Sequence, residues 1–284
     1  MIVTEKLTKR YGAITAIEDL DLKVHAGEIY GFLGPNGAGK TTTIRVLTTL
    51  TKPTSGHALV NGFDVVNEPE KVKKMIGVVQ QHVSLDRDLT VRENIEFRAR
   101  LHHLGSFERK KRIDELLDYL GLTGEADRIV NDLSGGMKRR AMIVCSLLHK
   151  PKVLFLDEPT VGLDAQTRRL LWESIRRLHL DGTTIFLTTH YIEEAEALCQ
   201  RVGILHQGRL IDLGKPLELR QRLGLVTVET LVNNKETRYQ YFADRAAATR
   251  YVQNLPPEAK TIIIRDSNLE DVFVELTGRK VDND

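Results

Sequence analysis

The sequence predicts an α/β fold around a mixed, mainly parallel sheet, and three observations carry that expectation. A short apolar run, Glu28 to Leu33, leads into a glycine-rich turn and then a helical pattern. From Val153 to Thr189 short apolar strands flank a helix, the mark of parallel strands joined by crossovers. Ahead of these, apolar and polar residues alternate through Ala16–Val24 and His57–Val60, which places an antiparallel β part at the N-terminus. A main domain over residues 1–223, holding a helical subdomain over about 88–150, and a small α+β unit over 224–284 complete the expected organisation.

Glu28–Leu33 reads as a short buried strand, and Thr41 to about Leu50 as a helix with Ile44, Val46 and Leu47 among its apolar positions. Between them stands Gly34-Pro35-Asn36-Gly37-Ala38-Gly39-Lys40-Thr41-Thr42, a phosphate-loop pattern in the strand–turn–helix context it requires. Gly34, Gly37 and Gly39 admit backbone conformations closed to other residues and leave room for a large anion. Successive N–H groups then form a nest for phosphate oxygens at a helix N-terminus. Lys40 supplies a point charge for the terminal phosphates, and the Thr41 hydroxyl can ligate Mg²⁺. A glycine-rich turn with an accidental lysine fits this context less well.

From Arg92 to Leu148 the pattern is helical; Ile113, Leu116, Leu117 and Leu120 make one apolar face. Within it, Leu133-Ser134-Gly135-Gly136-Met137 opens a helix running from Lys138 to His149. Ser134 is either a plain N-cap or, with the two glycines, part of a second anion site, and the residues alone leave both readings open.

Val153–Leu156 is an apolar strand ending in Asp157 and Glu158. Ligands in parallel sheets sit beyond the carboxyl ends of strands. There Asp157 can hold Mg²⁺ through water and Glu158 can orient and deprotonate an attacking water; the alternative is an acidic strand end that caps a neighbouring helix. A helix near Thr167–Leu180 and a strand Ile185–Thr189 follow, then an edge hairpin of Val202–Leu205 and Arg209–Leu213 turning at Gln207-Gly208. Beyond a boundary near Leu223-Gly224 the order reads strand, strand, helix, strand, helix. Pro256-Pro257 ends the first of these helices, and Ser267-Asn268-Leu269-Glu270 has a capping-box pattern. Leu269, Val272, Phe273 and Leu276 form one face of the last helix, with Gly278 at its C-terminal cap.

The order of these motifs over residues 1 to about 220 resembles the nucleotide-binding subunits of ATP-binding cassette (ABC) transporters, and Leu133-Ser134-Gly135-Gly136 is similar to the signature that sets the family apart. The resemblance implies further roles. Tyr11, in Lys9-Arg10-Tyr11-Gly12, matches the aromatic that stacks on adenine, although a plain core tyrosine is the alternative. Gln81, chosen over Gln80 by its spacing from Ile76-Gly77, matches the glutamine that senses the γ-phosphate and Mg²⁺. Asp164, in Gly162-Leu163-Asp164, matches the D-loop, and His190 the switch histidine. Met137 departs from the glutamine common at that position.

The implied activity is hydrolysis of ATP with Mg²⁺. Two copies of the chain pack head to tail with ATP bound, each nucleotide held between one copy's loop and the other's Ser134 helix. The tail Leu269-Glu270-Asp271-Val272-Phe273 resembles drug-exporter members, which points to export. A separate polytopic membrane subunit is the implied partner, docked at His82–Leu89 and the helix after Thr90, on the cytoplasmic face of the membrane. The competing readings are a soluble cassette ATPase, such as one in cluster assembly, and a phosphate-loop kinase; the kinase leaves Ser134-Gly135-Gly136 and His190 without roles.

Composition agrees. A net charge of +2 over 284 residues gives no electrostatic case for a nucleic-acid partner. No apolar run nears the ~18 residues of a spanning helix, and Met1-Ile2-Val3-Thr4-Glu5-Lys6 does not read as a signal peptide. Cys145 and Cys199 read as core fillers, His102-His103 as a surface pair, Trp172 as helix packing, and the basic runs Arg109–Arg112 and Lys138-Arg139-Arg140 as solvated helix faces.

Overall fold

A computed structural model describes residues 1–232, 236–255 and 259–278. The expected helix end at Pro256-Pro257 lies outside the described residues. In chain order the elements are β1 (Ile2–Tyr11), β2 (Ile14–Val24), β3 (Ile29–Leu33), α1 (Lys40–Leu47), β4 (Ser55–Val60), β5 (Phe63–Asp64), α2 (Pro69–Met75) and β6 (Ile76–Val79). The helical part follows as α3 (Val91–Leu101), α4 (Ser106–Tyr119) and α5 (Gly135–Leu147). The sheet resumes with β7 (Val153–Asp157), α6 (Ala165–Leu180), β8 (Thr184–Thr189), α7 (Ile192–Leu198), β9 (Arg201–His206), β10 (Arg209–Gly214) and α8 (Pro216–Leu223). Last come β11 (Val226–Val232), β12 (Glu236–Phe242), α9 (Arg245–Gln253), β13 (Ala259–Asp266) and α10 (Leu269–Thr277).

The main sheet has the order β10-β9-β3-β8-β7-β6. β3, β6, β7, β8 and β9 are parallel, and only β10 pairs antiparallel, at one edge. A second, antiparallel sheet, β2-β1-β4-β5, comes from the N-terminal segment. β3 is buried at every position, so its alternation serves two apolar layers rather than one wet and one dry face. Ile29 and Leu33 join the layer that includes α3, α4 and α5, while Tyr30 and Phe32 join the layer beneath the N-terminal sheet. There Tyr30 stacks on Phe186 at 5.5 Å between ring centroids, with Phe32 at 5.7 Å and Phe155 at 5.6 Å from the same ring.

Local chemistry sets the helix starts. Thr90 and Glu93 close a capping box at α3, and Asp164 caps α6 by accepting from Thr167 N at 2.9 Å. The box at α10 sits one residue later than the sequence pattern suggests: Asn268 is the N-cap and Asp271 its reciprocal partner. Gly278 takes the left-handed conformation at the C-terminal cap.

Residues beyond Gly224 form a three-stranded antiparallel sheet, β12-β11-β13, against which α9 packs through Ala248 and Tyr251. α10 is tied to that sheet by Asp271, which accepts from Arg265 of β13 and Thr227 of β11, but its apolar face packs elsewhere. Leu269, Val272 and Phe273 are buried in the same cluster as Leu198 of α7 and Leu219 of α8, whereas Leu276, expected on this face, is 47% exposed. The Glu196 carboxylate accepts from Leu269 N at 3.0 Å and fastens the start of the helix.

Candidate active site

Parallel pairing brings the motifs together. Leu33 of β3 lies opposite Thr189 of β8, Leu156 of β7 opposite Leu187 of β8, and Val79 of β6 opposite Leu156. Four neighbouring strands therefore end level, and each releases one site segment: Gly34–Thr42 after β3, Gln81 after β6, Glu158 after β7 and His190 after β8. A cleft of about 270 Å³ opens there, lined by Ala16, Asn36, Gly37, Gly39, Lys40, Thr41, Thr42, Gln81 and Glu158. Gln81 lines it and Gln80 does not.

The turn glycines act in two ways. Gly37 and Gly39 have φ of 80° and 108°, so they hold the backbone where side chains are strained. Gly34 has no such angle; a Cβ there would collide with the Leu205 carbonyl oxygen, so its need is space. Gly39 is the N-cap of α1, whose first residue is Lys40, one position earlier than the sequence pattern suggests.

Lys40 is 4% exposed, and its ammonium meets three acceptors: Gly34 O at 2.7 Å, Pro35 O at 3.1 Å and Glu158 Oε1 at 3.0 Å. Three acceptors match its three N–H groups. The other carboxylate oxygen of Glu158, Oε2, takes His190 Nδ1 at 2.8 Å, with the proton assigned to the ring nitrogen because a carboxylate only accepts. Burial pushes the Glu158 carboxyl up, but the donors from His190 and Lys40 outweigh it and hold the group below its ordinary value. Glu158 has φ +47°, a left-handed conformation that costs a non-glycine residue ~1–3 kcal/mol and aims the carboxylate at the cleft.

Asp157 lies one residue back, 4% exposed. Its Oδ1 accepts from Thr41 Oγ1 at 3.2 Å and from Thr188 Oγ1 at 2.6 Å. Thr41 hydroxyl, Asp157 carboxylate and the Gln81 amide form a set of hard oxygen donors, of the kind Mg²⁺ takes with one carboxylate and substrate phosphates.

The remaining motif residues stand apart. Ser134 caps α5 by accepting from Met137 N at 3.3 Å, and Ser134 and Gly135 are exposed outside the cleft. Gly136 is buried, and a Cβ there would collide with the Thr167 methyl of α6. Asp164 also receives the Thr167 hydroxyl at 2.6 Å and is exposed. Tyr11 closes β1, is 45% exposed with Lys9 Nζ 4.8 Å from its ring centroid, and does not line the cleft; it is not a core tyrosine.

Sequence reasoning missed two residues here and misread three arginines. Thr188 orients Asp157 from within a fully buried strand, and a hydroxyl in such a strand was the available signal. Ala16 lines the cleft without any signal of its own. Arg139 is 6% exposed and not on a solvated face: Nη1 donates to Gln80 O at 2.6 Å and Nη2 to Gln81 O at 3.0 Å. Its spacing from buried Gly136, Met142 and Ile143 marks it as inward-facing. Arg109 and Arg112 likewise depart from a solvated face, donating to Leu104 O and Leu147 O. Trp172 packs and also donates Nε1–H to Glu194 Oε1 at 3.1 Å. Exposed His102 stacks on His149 at 4.1 Å.

Comparison with known proteins agrees with this geometry. Residues 17–161 match the sequence profile of the family described as ABC transporter. The chain is 39% identical to a daunorubicin resistance ATP-binding protein of Streptomyces coeruleorubidus, over 98% of this chain and 96% of that one. It is also 39% identical to a Nod factor export ATP-binding protein of Cupriavidus pinatubonensis, over 97% and 90%. Among solved structures, the dimeric post-hydrolysis state of the ATP-binding cassette MJ0796 bound to ADP and Pi superposes with a TM-score of 0.69 at 29% identity, covering 76% of this chain and 98% of that one.

Proposed function

This chain belongs to the ABC transporter family as an ATP-hydrolysing subunit that powers export, and from that premise we propose how its residues divide the work. Lys40, with the N–H groups of Gly37 to Thr42, binds the terminal phosphates of ATP. Glu158 is the general base for the attacking water, and His190, hydrogen-bonded to it, orients that carboxylate and faces the γ-phosphate. Thr41, Gln81 and, through water, Asp157 hold Mg²⁺, which when bound neutralises phosphate charge. Tyr11 stacks on the adenine, carried to a partly exposed position beside the turn before β2.

The observation that carries the assembly is the placement of Ser134 and Gly135. They form a capped, exposed helix N-terminus that is not part of the lining of the Lys40 cleft. A helix N-terminus with free N–H groups favours an anion. Two chains packed head to tail supply one: each ATP lies between one copy's Lys40 loop and its partner's Ser134 helix, with Asp164 at the seam. Charge-assisted hydrogen bonds contribute ~1.5–3 kcal/mol each, so a few made only to the γ-phosphate favour the closed pair with ATP over ADP.

Among the described residues no helix is long and apolar enough to cross a membrane. On the reading proposed, export runs through a separate polytopic subunit, with this chain at the cytoplasmic face of the membrane. Its dock is the loop His82–Leu89 with α3 and the start of α4, where Val83, Phe97, Leu101 and Phe107 are exposed. The exporter relatives disfavour the soluble-cassette alternative.

The test is Glu158→Gln, which keeps the shape of the side chain and removes its basicity. Loss of a general base lowers turnover by ~10²–10⁴ while ATP stays bound. The variant is expected to elute as a dimer in saturating ATP with Mg²⁺ and as a monomer in ADP. A monomer in ATP at micromolar protein overturns the two-chain site.

A further inference from the structure

The loop that carries Gln81 leaves β6 in the main sheet and enters the helical subdomain at α3. On the subdomain side it is well tied: Asn94 of α3 exchanges two hydrogen bonds with Asp86, and Arg98 donates to Ser84 O at 3.0 Å. At Gln81 itself the described side-chain bond comes from α5. The Arg139 guanidinium forks over the Gln80 and Gln81 carbonyls, five residues after Ser134 on the same helix.

We propose that Arg139 is a positioning residue for ATP hydrolysis: it fixes the backbone from which Gln81 reaches into the cleft and locks that backbone to the Ser134 helix. Two parallel N–H···O contacts from a planar group set direction as well as distance, which a lysine ammonium does not do. Arg139 itself is only 6% exposed, so its guanidinium has little access to water as a substitute partner. Burial lowers the guanidinium's pKa, with Glu194 and Asp157 opposing that shift, and an arginine stays charged in a protein all the same. The consequence is mechanical. Occupation of one copy's cleft shifts Gln81, the shift reaches α5 through Arg139, and α5 ends at the N-terminus offered to the other copy's nucleotide. Coupling of this kind is reciprocal, so engagement of Ser134 by the partner's ATP also steadies Gln81. This inference rests on the role of Gln81 given above.

The test is a double-mutant cycle on the full chain with ATP and Mg²⁺, with kcat normalised to titrated nucleotide sites. Arg139→Met, which keeps the stem and removes the fork, is expected to lower kcat about 10-fold or more with the ATP Kd changed less than about 2-fold. It is expected to add nothing when Gln81→Ala is already present, because both remove the same element. Arg139→Lys, which reaches one carbonyl and guards against a folding defect in the methionine variant, is expected to recover part of the loss. If Arg139→Met costs the same factor with and without Gln81→Ala, or if Arg139→Met keeps the wild-type kcat, the positioning role is wrong. A Gln81→Ala protein with wild-type kcat removes the role of Gln81 itself, which the single variant reveals, and overturns both.

Discussion

Lys40 Nζ lies 3.0 Å from Glu158 Oε1, and neither side chain is more than 6% exposed. The proposed phosphate-binding cation and the proposed general base are thus paired to each other. On that proposal an incoming triphosphate competes with Glu158 for Lys40 and, by taking it, frees one carboxylate oxygen for water. Lys40→Ala removes charge-assisted bonds worth ~1.5–3 kcal/mol, so ATP affinity is expected to fall roughly 10- to 150-fold by titration. Undiminished affinity contradicts the assignment.

The same pairing makes stability depend on pH in a defined direction. The folded-state pKa of Glu158 is held below its ordinary value of 4.5. A depressed acid stabilises the fold at pH above its unfolded value and loses that contribution as pH falls through the folded value. Melting temperatures of wild type and Glu158→Gln are therefore expected to diverge below about pH 4.5, with wild type losing ground. Parallel melting curves from pH 7 to pH 3 contradict the pairing.

Glu194 behaves in the opposite sense. It is 0% exposed, and burial raises its pKa despite the Trp172 N–H and the hydroxyls of Thr189 and Thr160 beside it. For a raised acid the folded state holds its proton longer, so the fold loses stability as pH rises from the unfolded value towards the folded one. Glu194→Gln keeps an acceptor for the indole and carries no charge. It is expected to melt above wild type at pH 8, by roughly 2–4 °C per kcal/mol recovered, with the gap closing towards pH 4.5. Scanning calorimetry at the two pH values checks the sign.

How much of this was legible in the chain follows from what each residue needs. The phosphate loop, Asp157 and Glu158 were readable because local backbone chemistry and strand ends favour those residue types at those places, whereas His190 was legible only through the family resemblance. The fold class was readable for the same reason: buried runs such as Ile29–Leu33 and Val153–Asp157 have both faces covered. β1 was not, because bulges between Thr4 and Arg10 break its alternation, and four-residue β6 is too short to declare itself. Arg139 was hidden because a basic run looks solvated until the turn of the helix is counted. The docking of α10 on α7 and α8 joins residues some seventy positions apart, Glu196 and Leu269 among them, and no local pattern encodes that.

Phe97 and Leu101 stand one helical turn apart on α3, and Phe107 opens α4 just past the connecting loop; they are 58%, 57% and 86% exposed. Single exposed apolar residues are ordinary, but three on one subdomain are what the proposed dock rests on. None of the three lines the nucleotide cleft. Phe97→Glu with Phe107→Glu should therefore leave folding within ~0.5 kcal/mol of wild type and leave the ATPase activity of the isolated chain intact. The same pair places two carboxylates in an apolar contact, where burying an unpaired charge costs several kcal/mol, and so should abolish co-purification with the membrane subunit. Retained co-purification, measured against a double glutamate control at exposed Leu50 and Leu180, both outside the helical subdomain, moves the dock elsewhere on the chain.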